Sequence, residues 1–468
     1  MKVRLYFLGA VQNVTGSSFL LESNDTRILV DCGLYQERKL LSRNWEPFPV
    51  APASIDAVLL THAHLDHCGL LPKLVRDGFR GNIYCTEATA EITQIILIDS
   101  ARLQEEDAQF KKMRHEREGR KGPFPEIPLY TVDDAKATFS LFSPVKYKEP
   151  LPIGKSIKAT FCDAGHVLGS SMIKIEVNQD GERRTIIFSG DVGRWNKPIL
   201  QDPTFIDDVD YMLVESTYGD RVHKDVIDTS ERLTEVINST RRAGGNIVVP
   251  SFALERSQEI LYYMNQLLLE NRIPHLMIFL DSPMAISITE VFKHHSELYD
   301  KEMTQLVLRN KSPFEFPNLV MTQSTEESKA INHIKGTVMI IAGSGMCTGG
   351  RIKHHLVANI SRKDSTILFV GYQAVGTLGR HIIDGAKKVR ILGNYHPVKA
   401  RIEQIHGFSS HADRNELYNW LSKLKRAPRS VFIVHGEERS AISFSSFVKE
   451  KTNWNVIIPR YGEEFTLE

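Results

Sequence analysis

The run Thr61-His62-Ala63-His64-Leu65-Asp66-His67 puts three imidazoles and a carboxylate into one short stretch of chain. With 17 histidines in 468 residues, chance produces such a group in roughly one sequence in a thousand. Imidazole nitrogen with carboxylate oxygen is borderline-soft coordination suited to Zn2+. Four such groups are too many for a single catalytic zinc, which keeps one position open for water, so the run implies two metals and metal-assisted hydrolysis. More ligands are then expected downstream. Candidates stand where apolar runs end: His166 in Asp163-Ala164-Gly165-His166, Asp191 in Ser189-Gly190-Asp191, and His435 in Val434-His435-Gly436-Glu437. Taken singly, a core histidine is more often a hydrogen-bonded structural group, and a Gly-Asp pair more often a turn.

The elements that must position these groups are legible as well. From residue 2 to about 215, short β-branched runs such as Arg27-Ile28-Leu29-Val30 and Arg184-Thr185-Ile186-Ile187-Phe188 are punctuated by Gly, Asp and Asn and read as strands. Several end on Asp31, His62, Asp191 or Glu215, which predicts one shared rim. After residue 216 the pattern becomes alternating helix and strand. A helix is predicted from Thr229 to Arg242, stopping at Gly244-Gly245. A second, near Leu254 to Leu269, has an apolar face of Ile260, Leu261, Met264, Leu267 and Leu268. A third follows Asp281-Ser282-Pro283, where Ser suits the cap and Pro the first helical position. Strands and helices mix again from about 397 to 468. The simplest architecture is a hydrolase domain in two pieces, 1–216 and 397–468, with an α/β module at 217–396 between them.

Composition narrows the class without naming it. With 42% hydrophobic and 25% charged residues the chain is an ordinary globular one. Its 58 basic and 57 acidic side chains nearly cancel, so attraction to nucleic acid must come from local patches. One candidate patch runs from Lys111 through Arg114, Arg117 and Arg120 to Lys121, although such a run is more often a solvated helix face. Five cysteines without a CxxC pair argue against a disulfide framework or a zinc ribbon and fit a reducing cytoplasm. The apolar stretch after Met1-Lys2 is too short to span a bilayer and reads as a first strand, so no membrane partner is expected.

In this order, Asp31, then His62-x-His64-x-Asp66-His67, His166 and Asp191 resemble the metallo-β-lactamase superfamily over roughly the first 215 residues. The resemblance implies an α/β fold, an αββα sandwich. It implies one zinc on His62, His64 and His166, a second on Asp66, His67 and His435, and Asp191 bridging both. Asp31 would orient the ligand loop. That superfamily hydrolyses lactams, thioesters and phosphodiesters, so the insert must name the substrate. Val214-Glu215-Ser216-Thr217-Tyr218-Gly219-Asp220, Gly407-Phe408-Ser409-Ser410-His411-Ala412-Asp413 and Val434-His435-Gly436-Glu437 resemble motifs A, B and C of the β-CASP nucleases. The nearest likeness is to the group holding the endonuclease subunit of the eukaryotic cleavage and polyadenylation factor. DNA-processing members typically carry Val where His435 stands, so the resemblance implies single-stranded RNA as substrate.

Phosphodiester hydrolysis at neutral pH needs a hydroxide, charge neutralisation and a proton for the departing oxygen. Water between the two zincs, near Asp66 and Asp191, is the expected nucleophile. His411, not needed as a ligand, is the candidate general acid with Glu215 orienting it, the plain alternative being that His411 caps a helix starting near Asp413. In the insert, Ser344 and Gly345 lie in a Gly-rich turn running to Arg351 and are candidate substrate-binding residues, with Arg351 and Lys353 adding charge. A purely structural turn is the alternative. Gly371 to Arg380 reads similarly, and the resemblance places both loops near a cleft between the domains. Arg256 either contacts phosphate or pairs with an acid. Internal cleavage is favoured over trimming from a 5′ end. The rival functions are a small-molecule metallo-hydrolase, which the long insert disfavours, and a non-catalytic RNA-binding subunit, which the complete ligand set disfavours. Archaeal relatives often begin with KH modules, whereas here the hydrolase strand starts at Leu5. Additional RNA affinity is therefore expected from the basic stretch, a partner subunit or a homodimer.

Overall fold

Alternation of inward and outward residues builds the first unit. In the computed structural model, which describes residues 3–24, 26–119, 121–179, 181–223 and 229–468, the strand Val3–Phe7 buries Val3, Leu5 and Phe7 while Arg4 and Tyr6 are half-buried. Met1, Lys2 and Arg120 lie outside the described residues. The same period of two in Ser171–Gln179 turns Ile173, Ile175 and Val177 to one face. Two seven-stranded sheets result. The first runs Glu464–Leu467, Val3–Phe7, Phe19–Ser23, Thr26–Val30, Ala57–Leu59, Asn82–Cys85 and Phe142–Pro144. The second runs Val456–Ile457, Ser430–Val434, Tyr211–Glu215, Glu182–Phe188, Ser171–Gln179, Ile157–Asp163 and Pro150–Ile153.

One apolar cluster joins the two sheets, with the ring of Phe7 5.1 Å from Phe432 and that of Phe19 6.2 Å from Phe188. The outer face of the first sheet is covered by helices Leu71–Arg76, Glu87–Glu118 and Val132–Phe139. Leu417, Trp420 and Leu421 of helix Arg414–Leu421, with Phe444 and Val448 of helix Glu438–Thr452, cover the other. This is the αββα sandwich expected from the sequence. Among the described residues no helix is long and apolar enough to cross a membrane.

The second unit is an α/β module around six parallel strands, ordered Leu319–Met321, Met277–Asp281, Val338–Ala342, Ile247–Pro250, Thr366–Phe369 and Arg401–Gln404. The predicted helices are Thr229–Ala243, Arg256–Leu269 and Pro283–His294. Ser282 caps the third, its hydroxyl accepting from Ala285 N–H. The two compact units comprise residues up to Trp195, Asp202–Val222 and His411–Glu468, and residues 196–201 with His223–Ser410. Arg401–Gln404 pairs with Thr366–Phe369 in the insert's own sheet, and the first compact unit resumes at His411.

Candidate metal centre

In the second sheet, Ile157–Asp163, Glu182–Phe188, Tyr211–Glu215 and Ser430–Val434 all point the same way: the first two are each antiparallel to Ser171–Gln179, and the last three are successively parallel. Their carboxyl ends therefore share an edge, and they deliver His166, Asp191, Glu215 and His435. In the first sheet, Thr26–Val30 and Ala57–Leu59 are parallel and end at Asp31 and at the loop carrying His62 and His64. Asp66 and His67 sit on the short helix Leu65–Cys68 that comes next.

Two groups of donor atoms converge there. His62 Nε2 is 3.0 Å from His64 Nδ1 and 3.4 Å from Asp191 Oδ2; His166 Nε2 is 3.3 Å from His64 Nδ1 and 3.5 Å from Asp191 Oδ2. In the other group His67 Nε2 and His435 Nε2 are 3.0 Å apart, His435 Nε2 is 3.4 Å from Asp66 Oδ2, and His67 Nε2 is 3.4 Å from Asp191 Oδ1. Ligands about 2.0 to 2.1 Å from a tetrahedral metal lie about 3.3 Å from each other, so both sets of spacings match one cation each. Asp191 Oδ1 is buried without a hydrogen-bond partner, an orphaned anionic oxygen that a cation would satisfy.

The electrostatics agree. Burial, then the neighbouring imidazoles, holds His64 down to about 3 and lowers His62 and His166, keeping these three neutral with lone pairs free. Burial would raise the Asp66 and Asp191 carboxyls, but neighbouring histidines, His435 foremost, outweigh it and keep both ionised. Asp191 with Asp31 overcomes burial to raise His67, and Asp191 with Asp66 does so for His435, so this part of the site demands positive charge.

Neighbouring residues fix the ring orientations. Asp31 Oδ2 accepts His67 Nδ1–H at 2.7 Å and Thr61 Oγ1–H at 3.0 Å, while Oδ1 accepts Thr61 N–H at 2.8 Å. With its proton on Asp31, Thr61 Oγ1 can accept from His62 Nδ1–H at 3.0 Å, which leaves Nε2 of both imidazoles as the ligating atom. Thr217 Oγ1 lies 3.1 Å from His435 Nδ1 and plays the equivalent part. Two glycines hold the ligand loops close: a Cβ on Gly33 would lie 1.7 Å from Asp66 O, and one on Gly193 would lie 1.8 Å from Gly165 O and 2.8 Å from His166 N. Sequence reasoning missed Thr61, Thr217, Gly33 and Gly193; only the adjacency of Thr61 to His62 and the place of Thr217 two residues after Glu215 hint at two of them.

His411 stands beside both groups and belongs to neither. It pairs with Gly193 in an isolated bridge, and its Nδ1 lies 3.2 Å from each oxygen of Glu215 and 4.0 Å from Asp191 Oδ2. Burial would depress its pKa, but the charge of Glu215 and its hydrogen bond push it up to about 9. Glu215 is fully buried and also accepts Val192 N–H at 2.7 Å, tying the proton-bearing histidine to the segment carrying Asp191. The helix after His411 is capped by Asp413, which accepts from Asn415 N–H and Glu416 N–H, so capping is not the role of His411.

The remaining candidates have partners of their own. Ser344 and Gly345 belong to the second unit, where Ser344 Oγ accepts Thr348 N–H at 3.0 Å and Gly349 N–H at 3.2 Å, closing its own turn. Arg351 pairs with Asp281 at 2.6 Å and donates to Thr322 O. Arg256 pairs with Glu259, the acid-pairing alternative of the two read from the sequence. Lys111 and Arg114 pair with Asp107 and Glu118 on an exposed helix face.

A sandwich with converging His and Asp donors at its strand ends defines a metal-dependent hydrolase of the metallo-β-lactamase fold. Residues 20–214 match the metallo-beta-lactamase superfamily domain, 257–382 the Beta-Casp domain, and 395–459 the Zn-dependent metallo-hydrolase RNA specificity domain. The chain is 37% identical to a ribonuclease of Thermus thermophilus over 98% of its own length and 99% of the relative's. It is 31% identical to the transcription termination factor FttA of Methanosarcina mazei, covering 96% and 69%, and 30% identical to an RNase J-like protein of Methanocaldococcus jannaschii, covering 98% and 99%. A protein of unknown function from Enterococcus faecalis shares the fold over 100% of both chains at TM-score 0.58 and 12% identity. The chain belongs to the β-CASP ribonucleases of the metallo-β-lactamase superfamily.

Proposed function

We propose that the protein cuts single-stranded RNA internally, in the cytoplasm, with two zinc ions per chain. His62, His64 and His166 would hold one, Asp66, His67 and His435 the other, and Asp191 both. The reading rests above all on Asp191, whose two oxygens face different donor groups. Five histidines and two aspartates with no cysteine make a donor set suited to zinc. Bound zinc supplies Lewis acidity, which lowers the pKa of water and neutralises charge on the phosphate. His411 holds the proton for the departing ribose oxygen, with Glu215 keeping it charged and oriented at neutral pH. Ser344, half-buried, and Gly345, buried, would contact substrate together with the exposed Thr348 and Gly350 of the same turn.

The test offers zinc-loaded protein end-labelled single-stranded RNA, the matching DNA, and RNA with a blocked 5′ end. Internal fragments from blocked RNA, with DNA spared, are expected. Products only from free 5′ ends would reverse the cleavage mode, and equal cutting of DNA would remove the RNA assignment. His411→Ala should keep both zinc equivalents and lose about 10²- to 10⁴-fold in cleavage rate.

A further inference from the structure

The helix Glu87–Glu118 runs well past what its own packing uses. Up to Ala101 it buries Ala88, Ile92, Leu97 and others, but beyond that only Ala108 and His115 are buried. Away from those two, Leu103, Phe110 and Met113 are 57%, 61% and 63% exposed. At about 100° per residue these three side chains span an arc of about 80°. Exposed Glu106 and Asp107 lie on or beside that arc before Phe110, and Arg114 and Arg117 after it. The face is thus apolar at its centre, acidic toward one end and basic toward the other.

Such a face is complementary to itself. Laid antiparallel against a copy with Phe110 on the twofold axis, each residue meets the one equally far on the other side of Phe110. Glu106 then meets Arg114 of the second copy, and Leu103 packs along the stem of Arg117. Every acid-bearing half lies against a basic half. The acidic half and the apolar centre suit a phosphate chain poorly, which separates this face from an RNA-binding surface. We propose that the outer face of helix 103–117 joins two copies of this chain in an antiparallel pair. Fourteen residues of rise give about 21 Å of seam, which puts the contact at the small end of specific interfaces, with a dissociation constant on the order of micromolar.

Sedimentation from about 0.5 to 100 μM reads the equilibrium directly. The unaltered chain should pass from monomer to dimer across that range. Phe110→Glu should weaken the dimer by about 30-fold or more, while its cleavage per chain at saturating RNA, which relies on the metal groups and His411 outside this helix, reports an intact fold. Glu106→Arg and Arg114→Glu should each be monomeric alone, because like charges then meet at both crossings. Mixed in equal amounts they should pair, since both crossings become oppositely charged. A chain that stays monomeric throughout overturns the proposal. So does a dimer indifferent to Phe110→Glu and the charge changes, or a monomer whose RNA affinity falls on Phe110→Glu, which would assign the face to RNA.

Discussion

Replacing Asp31 by Asn preserves shape and removes one acceptor, and the surrounding donors fix the consequence. The carboxylate accepts Thr61 N–H on Oδ1, and both His67 Nδ1–H and Thr61 Oγ1–H on Oδ2. An amide has an oxygen for only one of those sides. With the oxygen toward Thr61 N–H, the NH2 faces His67 Nδ1 and forces the ring proton onto Nε2, the atom that faces Asp191 and His435. With the amide reversed, two buried donors oppose each other at Thr61, costing about 1–3 kcal/mol. Either way the Asp66–His67–His435 group loses preorganisation. Loss of such a partner lowers metal affinity about 10- to 100-fold, or about 1.4–2.7 kcal/mol. His62 is linked to Asp31 by hydrogen bonds only through Thr61, so the other group should suffer less.

Competition with a chromophoric chelator measures this. Asp31→Asn should bind one zinc equivalent nearly as the unaltered chain does and the other about 10- to 100-fold more weakly. Cleavage should fail at limiting zinc and recover at saturation. Two equivalents of unchanged affinity would refute the tautomer argument. Full zinc occupancy with cleavage still lost would show that Asp31 acts on something other than metal.

Gly193→Ala should weaken the zinc equivalent held with His166, and Gly33→Ala the one held with Asp66, because each new methyl collides with the backbone of that loop; chelator competition on the two variants should separate the equivalents. Burial lifts the Asp163 carboxyl to about 7 against the pull of Gly165 N–H and Lys148, so the folded chain keeps a proton that the unfolded chain releases between about pH 4 and 7. Its contribution to stability therefore falls as pH rises through that window. Asp163→Asn, which keeps an acceptor for Gly165 N–H, should melt higher than the unaltered chain at pH 8.5 and alike at pH 4. Stripping zinc should lower the melting temperature of the whole chain, the loss being about 2.7 kcal/mol per site relative to zinc at 100 times its dissociation constant.

The candidate ligands are legible in the sequence because four lie in one run and the rest follow apolar strands within three residues, where strand direction brings them to one edge. Ser282 and Pro283 announce their helix through local chemistry in the same way. The features that the sequence hides depend on distance in space. Nothing local marks Gly193 as the residue against which His166 packs, nor Thr217 as the partner of His435, 218 residues away. Arg401–Gln404 likewise has the pattern of any short strand, and only its partner decides which sheet owns it.

That pairing also bears on how the site is kept intact around a long insertion. Tyr211–Glu215 and Ser430–Val434 are adjacent parallel strands although His223–Ser410 of the second unit lies between them in sequence. Ser216 N–H donates to His435 O and its hydroxyl to Val434 O, while Tyr218 and Gly193 form isolated bridges to Asp413 and His411. The exit and re-entry of the chain are therefore fastened within the first unit, beside the residues that carry the chemistry. Donor geometry, and with it the Glu215–His411 pair, is set by this unit alone.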